Sequence, residues 1–268
     1  MNPSYLQRLA QSTRVVGALG RRSITQAFRR PQYLAPVLLF PSLFLAVNTG
    51  GAGRATEIAA FPDVNGFLDF ELAGAMMQAT MLAGVSGGIA LALDIEIGFS
   101  DRLLAAPISR AAIVIGRLAA TAALGLLAAV WFLAVGFVFG AEIEAGVVGV
   151  LLILLLTPFI AAAFGAVTAA IALKSGRASV VQGIFPLVFV ILFLSSAFFP
   201  SNLLLQPAQS ISDWNPLSLI ADGLREPIVY GLAAEPLLRC LLGIAIIGGL
   251  GTILSAWAMR SRLRAGAV

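Results

Sequence analysis

The chain has 268 residues, of which 59% are hydrophobic and only 11% are charged, and its formal net charge is +4. This composition excludes an ordinary soluble protein, which would leave far more apolar surface in water than it could bury. The sequence contains no histidine, which removes histidine-based general base catalysis and the commonest metal ligand, and its single cysteine excludes an internal disulfide bond.

The N-terminal segment, residues 1–31, predicts a cytoplasmic interfacial helix. Drawn as a helix, its apolar residues share one broad face and its arginines occupy most of the opposite face. The apolar set is Leu6, Leu9, Val16, Leu19, Ile24 and Phe28, and the basic set is Arg8, Arg14, Arg21, Arg22 and Arg29. Because arginines recur along it without an uninterrupted apolar core, we do not expect a signal peptide. Two roles stay open: a bent segment that fixes the first span and contacts a cytosolic partner, or a simple anchor that only sets the topology.

Six apolar stretches follow, each near the roughly 20 residues that cross a bilayer core. They cover residues 32–48, 72–93, 118–140, 145–173, 178–200 and 240–259. The first is short and contains Pro36 and Pro41, which predict a kink. No stretch contains a carboxylate, so the sequence offers no candidate for a membrane aspartyl protease or a proton relay.

Charges separate by loop between these stretches. Fourteen of the 17 Lys and Arg residues lie before the first span or after the second, fourth or sixth, whereas 10 of the 13 Asp and Glu residues lie in the other loops. Basic loops of membrane proteins face the cytoplasm. The pattern predicts an all-α polytopic protein of the inner or plasma membrane, with six transmembrane helices and both termini cytoplasmic. Short basic loops beside apolar spans favour membrane lipids, and not nucleic acid, as their partner.

The loop after the second span, residues 94–110, holds the only three acids of the predicted cytoplasmic side, Asp94, Glu96 and Asp101. In a basic face these acids can pair with arginines of a partner protein. Apolar side chains for such a contact are those of Phe99, Leu103 and Leu104. The alternative is a loop whose acids only neutralise the neighbouring Arg102 and Arg110.

The loop between the fifth and sixth spans, residues 200–236, combines helix breaks with apolar clusters. Pro200 and Pro216 each break a helix, and an Asn-Pro step favours a turn. Asp222 and Arg225 are three residues apart and are predicted to pair across one helical turn. An ordinary outer loop would leave its leucine clusters exposed.

Both loops resemble those of the integral membrane subunits of type-2 ABC exporters, the daunorubicin-resistance-like permeases. The family's first loop has a Glu, a Gly, an acidic residue, a Leu and then Pro-x-Ser-Arg, which correspond here to Glu96, Gly98, Asp101, Leu103, Pro107, Ser109 and Arg110. Its second region has an aromatic-Pro break, an Asn-Pro-Leu turn and Asp-x-x-Arg, which correspond to Phe198, Phe199, Pro200, Asn215, Pro216, Asp222 and Arg225.

The resemblance implies a permease domain over residues 32–268, with a coupling helix in residues 94–110 and a re-entrant segment in residues 200–236 that closes the exit. The implied coupling residues are Glu96, Gly98, Phe99, Asp101, Arg102, Leu103, Pro107 and Arg110, and the implied outer-gate residues are Phe198, Phe199, Pro200, Asn215, Pro216, Asp222 and Arg225. The implied partners are a cytosolic ABC ATPase, which binds ATP and Mg, and a second identical or related permease. This chain is expected to bind no cofactor or metal.

We therefore predict a permease subunit of an ATP-driven exporter of a lipophilic substrate, either a drug-like molecule or a lipid. The chain itself is not expected to be an enzyme, because Lys174, its only lysine, lacks the preceding glycine of a phosphate-binding loop. Three alternatives stay open. Sodium-driven transport uses backbone carbonyls and hydroxyls of broken helices to bind the ion, a channel needs no ATPase, and a permease-like scaffold inserts or senses lipids without transport.

Overall fold

A computed structural model describes residues 5–29, 31–99 and 110–265, and the side chains of residues 17–29, 31, 34–99 and 115–262. The regular elements in these ranges are all helical, as predicted. The long helices are α1 (Tyr5–Arg29), α2 (Pro31–Ala52), α3 (Phe67–Glu96), α4 (Arg110–Val138), α5 (Gly146–Ser175) and α10 (Ala234–Ala265). The short helices are α6 (Ala178–Gln182), α7 (Phe185–Phe193), α8 (Ala208–Trp214) and α9 (Pro216–Arg225), and a π-helical turn, Glu226–Tyr230, follows α9.

Five of the predicted spans are confirmed as helices long and apolar enough to cross a membrane. These segments are Leu34–Glu57, Phe67–Glu96, Ile115–Val138, Gly146–Ser175 and Ala234–Arg262. The first is longer than predicted, because α2 runs on to Ala52 and a 3-10 helix, Gly53–Glu57, follows it. Helix α2 also continues through both Pro36 and Pro41. The chain is therefore a multi-pass membrane protein.

The predicted fifth span, residues 178–200, is not one long helix. Helices α6 and α7 are separated by a break at residues 183–184, and turns follow α7 as far as residue 199. Pro186 explains the break, because it has no N–H to donate to the carbonyl four residues earlier and suits only the first turn of a new helix. We call residues 178–199 the broken span.

The second span begins earlier than predicted. Helix α3 starts at Phe67, which brings Asp69 and Glu71 into its first turns. The prediction that no span contains a carboxylate is therefore wrong, because this helix contains the buried Asp69 and the fully buried Glu71. The Glu71 Oε1 atom accepts a hydrogen bond from Asn48 of α2 at 2.6 Å. Acids are also favoured at helix N-termini, where the helix dipole is positive.

Helices α3 and α5 form the centre of the bundle, and they approach closely where small residues face each other. A Cβ atom placed on Gly84 would lie 2.6 Å from the Cβ of Phe164, and the Thr168 hydroxyl donates to the Gly84 carbonyl at 2.6 Å. On the other side of α5, the Ser255 hydroxyl of α10 donates to the Ala166 carbonyl at 2.7 Å. Such contacts are typical of membrane helix packing.

The N-terminal segment is helical, as predicted, and this helix, α1, packs along α4, whereas its interfacial place on the cytoplasmic side stays a prediction. A Cβ atom placed on Gly20 would lie 3.4 Å from the Cβ of Ala119. Ile24 of the predicted apolar face is partly buried, but Phe28 is exposed. Arg22, from the predicted polar face, is partly exposed and forms an ion pair with Asp94 of α3.

The bundle has two ends of opposite charge. We call the end with Arg22, Arg117 and Lys174 the basic end, and the end with Asp69 and Glu226 the acidic end. The broken span runs from the basic to the acidic end, antiparallel to α3.

Candidate functional site

At the basic end, the last turns of α3 are tied to α1 and α4 through one carboxylate. The Asp94 Oδ2 atom lies 3.4 Å from Nη1 of Arg22 and 3.1 Å from Nη1 of Arg117. The Asp94 and Arg117 side chains are mostly buried, whereas Arg22 is about one-third exposed, so the contact with Arg117 is less screened by water. Asp94 thus has arginine partners on two other helices of its own chain.

Glu96, two residues further on, contacts the start of the broken span. Its Oε1 atom accepts a hydrogen bond from the backbone N–H of Ala178 at 2.8 Å. Ala178 is the first residue of α6, where N–H groups have no partner within their own helix. The first acid of the family pattern therefore joins the end of α3 to the broken span.

The structure describes only part of the predicted coupling loop. Gly98, two residues after the end of α3, has a φ of +69°, a left-handed conformation that glycine adopts without strain. The Phe99 ring lies 3.8 Å from the Arg22 guanidinium, within the range of a cation–π contact. Arg110 is the first residue of α4, but its side chain lies outside the described residues. The other predicted coupling residues outside the described part are Asp101, Arg102, Leu103 and Pro107.

At the acidic end, Arg225 of α9 holds the turn that ends the broken span. Its side chain is only 4% exposed. Its Nη2 atom donates to the carbonyls of Ser196 and Ala197 at 2.8 and 3.0 Å, and its Nε atom donates to the Phe70 carbonyl at 3.4 Å. The guanidinium also stacks 3.8 Å from the centre of the Phe70 ring. One side chain thus joins α9, the broken span and the start of α3.

The predicted pairing of Asp222 with Arg225 is confirmed. The Asp222 Oδ1 atom lies 2.9 Å from Nη1 of Arg225, and it also accepts a hydrogen bond from the Ser196 hydroxyl at 2.7 Å. Burial lowers the pKa of the Arg225 guanidinium, and the Asp222 carboxylate opposes that effect by raising it. Because arginine stays charged at neutral pH, Arg225 is a buried cationic anchor.

Asn215 starts α9 and also binds the broken span. Its Oδ1 atom accepts from the Leu217 N–H at 3.0 Å, and its Nδ2 atom donates to the Leu194 carbonyl at 2.9 Å. Pro216 occupies the first helical position, which suits its fixed φ and missing N–H. The predicted Asn-Pro turn therefore connects the start of α9 to the end of the broken span.

A buried serine network completes this contact, and it was not predicted. The Ser218 hydroxyl donates to the Ser212 carbonyl at 2.7 Å and accepts from the Ser196 N–H at 3.1 Å. No pattern in the sequence predicts this network, because a serine in a membrane helix or loop can bond to many different partners.

The two aromatic residues of the aromatic-proline break, Phe198 and Phe199, differ in burial. Phe198 is buried, and its ring centre lies 5.1 Å from that of Phe44 and 5.3 Å from that of Phe193. Phe199 is 40% exposed, whereas Pro200 is buried. Phe198 therefore packs the aromatic-proline break against α2, through Phe44, and against α7, through Phe193.

Helix α9 packs tightly against the first turns of α10. A Cβ atom placed on Gly223 would overlap the Cβ of Cys240, and one placed on Gly243 would lie 2.8 Å from the Pro216 carbonyl. The two helices are therefore antiparallel over this length, with their backbones in close approach.

Some buried polar atoms in α2 and α3 have no hydrogen-bond partner among the described residues. They are Thr49 Oγ1, Glu71 Oε2, Gln78 Oε1 and Gln78 Nε2. Among those same residues, no group of three or more His, Cys, Asp or Glu side chains is arranged to hold a metal ion. The described site residues thus form ion pairs and hydrogen bonds that connect the ends of neighbouring helices.

Comparisons with known proteins show which family this chain belongs to. The model of the ABC-2 type transporter family matches residues 14–229. The chain is 30% identical over 237 residues to the "Daunorubicin resistance ABC transporter permease protein DrrB1" of Streptomyces coeruleorubidus, an alignment that covers 85% of this chain and 80% of that protein. It is 26% identical over 217 residues to the "Putative transport permease ycf38" of Porphyra purpurea, which covers 78% of this chain and 72% of that protein. The family match covers most of the chain, and this protein belongs to the ABC-2 type transporter family.

Proposed function

We propose that this chain is the permease subunit of an exporter that moves a lipophilic molecule outward with energy from a separate cytosolic ATPase. Its family supports the permease role, and the name of one relative, a daunorubicin resistance ABC transporter permease, supports a drug-like substrate over a lipid. The observation that carries the mechanism is the hydrogen bond from Ala178 to Glu96, which connects the predicted coupling loop to the broken span.

At the cytoplasmic side, residues 94–110 form a coupling helix that docks on the ATPase. Glu96 passes a displacement of this loop to α6, and Asp94 passes it to α1 and α4 through Arg22 and Arg117. The ATPase binds ATP and Mg, whereas this chain contributes no catalytic residue and binds no cofactor or metal.

At the outer side, α9 and the end of the broken span close the exit. In α9, Gly223 lies against Cys240 of α10, and Pro216 lies against Gly243 of α10. Helix α10 itself begins at Ala234. At 1.5 Å per helical residue, Pro216 lies about 14 Å along α10 from its start. Residues 234–239 include the exposed Glu235 and Arg239, and the apolar stretch begins at residue 240, so Pro216 lies about 5 Å into that stretch at 1.5 Å per residue. This position supports a re-entrant segment that enters the outer leaflet and returns.

The charge asymmetry supports an orientation with the basic end and both termini in the cytoplasm, in the inner or plasma membrane. Two permeases, either identical or related, pair with two ATPases in the complete exporter, and membrane lipids cover the remaining apolar surface. The substrate passes between helices, and release of the contacts of Arg225 opens the exit.

ATP-driven uptake into inside-out vesicles tests this function. The vesicles carry the chain with its ATPase, and the probe is N-acetyl dansylcadaverine, a neutral lipophilic fluorophore. We expect uptake with ATP but not with ADP, and no change when ionophores collapse the sodium and proton gradients. Uptake that requires a sodium gradient and not ATP would support an ion-driven transporter, and uptake that requires neither would support a channel.

A further inference from the structure

We propose that the basic end carries a binding site for an anionic phospholipid at the corner where α5 and α10 end side by side. Lys174 and Arg260 bind the phosphate group, and the acyl chains lie along the exposed side of α10 that ends at Trp257. The inference goes beyond the proposed function, because it depends on the multi-pass fold and not on transport. It names a ligand class, phospholipids of net negative charge, and the residues that bind it.

Two contacts bring the end of α5 against the last turns of α10. The Lys174 Nζ atom lies 4.8 Å from the centre of the Trp257 ring, a cation–π contact. A Cβ atom placed on Gly176, which caps α5, would lie 3.2 Å from Nη1 of Arg262. Arg260 lies between Trp257 and Arg262 along α10, and its side chain is exposed, like that of Lys174. Cations from two helices therefore meet at one accessible corner.

The positive charge of this corner has few acids to balance it. Residues 146–182 and 240–268 contain no Asp or Glu. Glu96 of α3 lies beside the corner, where it accepts the hydrogen bond from Ala178. Lys174, Arg177 and Arg260 form no ion pair with a carboxylate in the described part of the chain. Phosphate oxygens accept strong hydrogen bonds from such cations, and basic pockets between membrane helices bind anionic headgroups.

The position of Trp257 along α10 places the corner at the membrane surface. Residues 240 to 257 of this helix span about 25 Å at 1.5 Å per residue, close to the roughly 30 Å thickness of the hydrocarbon core. Tryptophan is enriched at the boundary of that core. The Trp257 ring is 58% exposed, and the exposed apolar residues that precede it on the same side of α10 are Leu250, Ile253 and Leu254.

This apolar side of α10 favours a lipid over an acidic segment of a protein. It leads through the depth of the bilayer to Trp257, and Arg260 follows one helical turn later on the same side. A phospholipid matches that order, because its acyl chains are joined directly to its phosphate. An acidic protein surface would match the cations but would leave the apolar side below them without a partner.

Quenching of Trp257 fluorescence by brominated lipids tests the proposal. The chain has three tryptophans, so Trp131→Phe with Trp214→Phe leaves Trp257 as the reporter. The full-length variant is reconstituted in mixtures of phosphatidylglycerol and phosphatidylcholine with identical acyl chains. Bromine is carried by one lipid in the first series and by the other in the second, and the comparison gives their relative affinity beside Trp257. We expect about a fivefold preference for phosphatidylglycerol, which Lys174→Gln with Arg260→Gln should abolish.

Two controls separate this site from general attraction to a basic surface. Arg21→Gln with Arg29→Gln removes two exposed arginines of α1 and should leave the preference at Trp257 unchanged. Trp131 of α4 is also exposed, and as the reporter in a Trp214→Phe, Trp257→Phe variant it should show no preference.

Equal affinities of the two lipids beside Trp257 overturn the proposal before any charged residue is replaced. A preference that persists in the Lys174→Gln, Arg260→Gln variant overturns it as well. Displacement of phosphatidylglycerol by free glycerol phosphate would show that a soluble anion occupies the corner, and this result would overturn the assignment to a lipid. None of these measurements needs an ATPase or transport, so failure of the exporter function leaves the test valid.

Discussion

The Glu96 carboxylate accepts a hydrogen bond from the Ala178 N–H at 2.8 Å, which joins the end of α3 to the start of the broken span. At the other end, α3 meets the broken span again where Gly74 faces Ala197. The two antiparallel segments are therefore connected at both ends, one beside the predicted coupling loop and the other beside α9. Movement of the loop can reach the outer gate through this pair.

Replacement of Glu96 tests the cytoplasmic connection. Glu96→Ala removes the acceptor for Ala178, so ATP-driven export should fall about tenfold while the loss of a helix cap costs only about 1 kcal/mol of stability. Glu96→Gln keeps an acceptor oxygen and should retain more export. Vesicle uptake, with ATPase retention measured on the same membranes, checks this result. Full export by the alanine variant would mean that the contact does not transmit movement.

Replacement of Arg225 should destabilise the acidic end far more than replacement of its partner Asp222. Arg225→Leu leaves the Ser196 and Ala197 carbonyls and the Asp222 carboxylate without their donor, at a cost of about 3 kcal/mol or more. Asp222→Asn should cost less than about 1 kcal/mol, because the Asp222 side chain is half exposed. Arg225→Lys should recover little, because a lysine lacks the planar fork of donors.

Thermal unfolding of the purified proteins in detergent gives the order of these variants. The expected order of Tm is wild type, Asp222→Asn, Arg225→Lys and Arg225→Leu, from highest to lowest. Equal Tm values for Arg225→Leu and Asp222→Asn would show that the buried hydrogen bonds of Arg225 contribute little.

Gly223 should be intolerant of a side chain. The Cβ of Gly223→Ala would overlap Cys240, and such overpacking costs typically about 1–3 kcal/mol. Gly249→Ala is the matched control, because a Cβ there has no neighbour within 4 Å and alanine favours the helix. Cys240→Gly should partly rescue Gly223→Ala in the double variant. The same unfolding assay checks all three, and equal losses for the two alanine variants would contradict close packing of α9 on α10.

The broken span should cross the membrane even though its helices are short. In a Cys240→Ala background, single cysteines are introduced by Arg177→Cys and Gln206→Cys, two exposed positions on either side of the broken span. A membrane-impermeant maleimide added to intact cells should label only position 206. Labelling of both positions, or of neither, would mean that this segment does not cross.

The helices and their order were predictable because hydropathy, helical periodicity and charge are properties of single segments. The pairing of Asp222 with Arg225 was predictable for a similar reason, since three residues separate neighbours on one helix face. The break in the fifth span was not predicted, although Gly183 and Pro186 mark it, because the apolar composition continues through them. Hydropathy detects burial of side chains but not the loss of one backbone hydrogen bond.

Contacts between distant segments were the least predictable part of the site. Hydropathy places the start of the second span after Glu71, because an acid next to an apolar run usually marks a loop. In the structure Glu71 is buried and accepts a hydrogen bond from Asn48, a contact between distant segments that hydropathy does not detect. The carbonyls that Arg225 binds, on Ser196 and Ala197, leave no trace in the sequence, because any residue has a carbonyl. The two predicted loops were found, but the bonds that join them to the broken span required the structure.

The most direct test of the central claim, that a separate ATPase drives this permease, is purification of the tagged chain from its native membranes in mild detergent, followed by mass spectrometry. We expect an ABC ATPase to co-purify in a near one-to-one ratio with the permease. An intact, monodisperse permease without such a subunit would contradict the account.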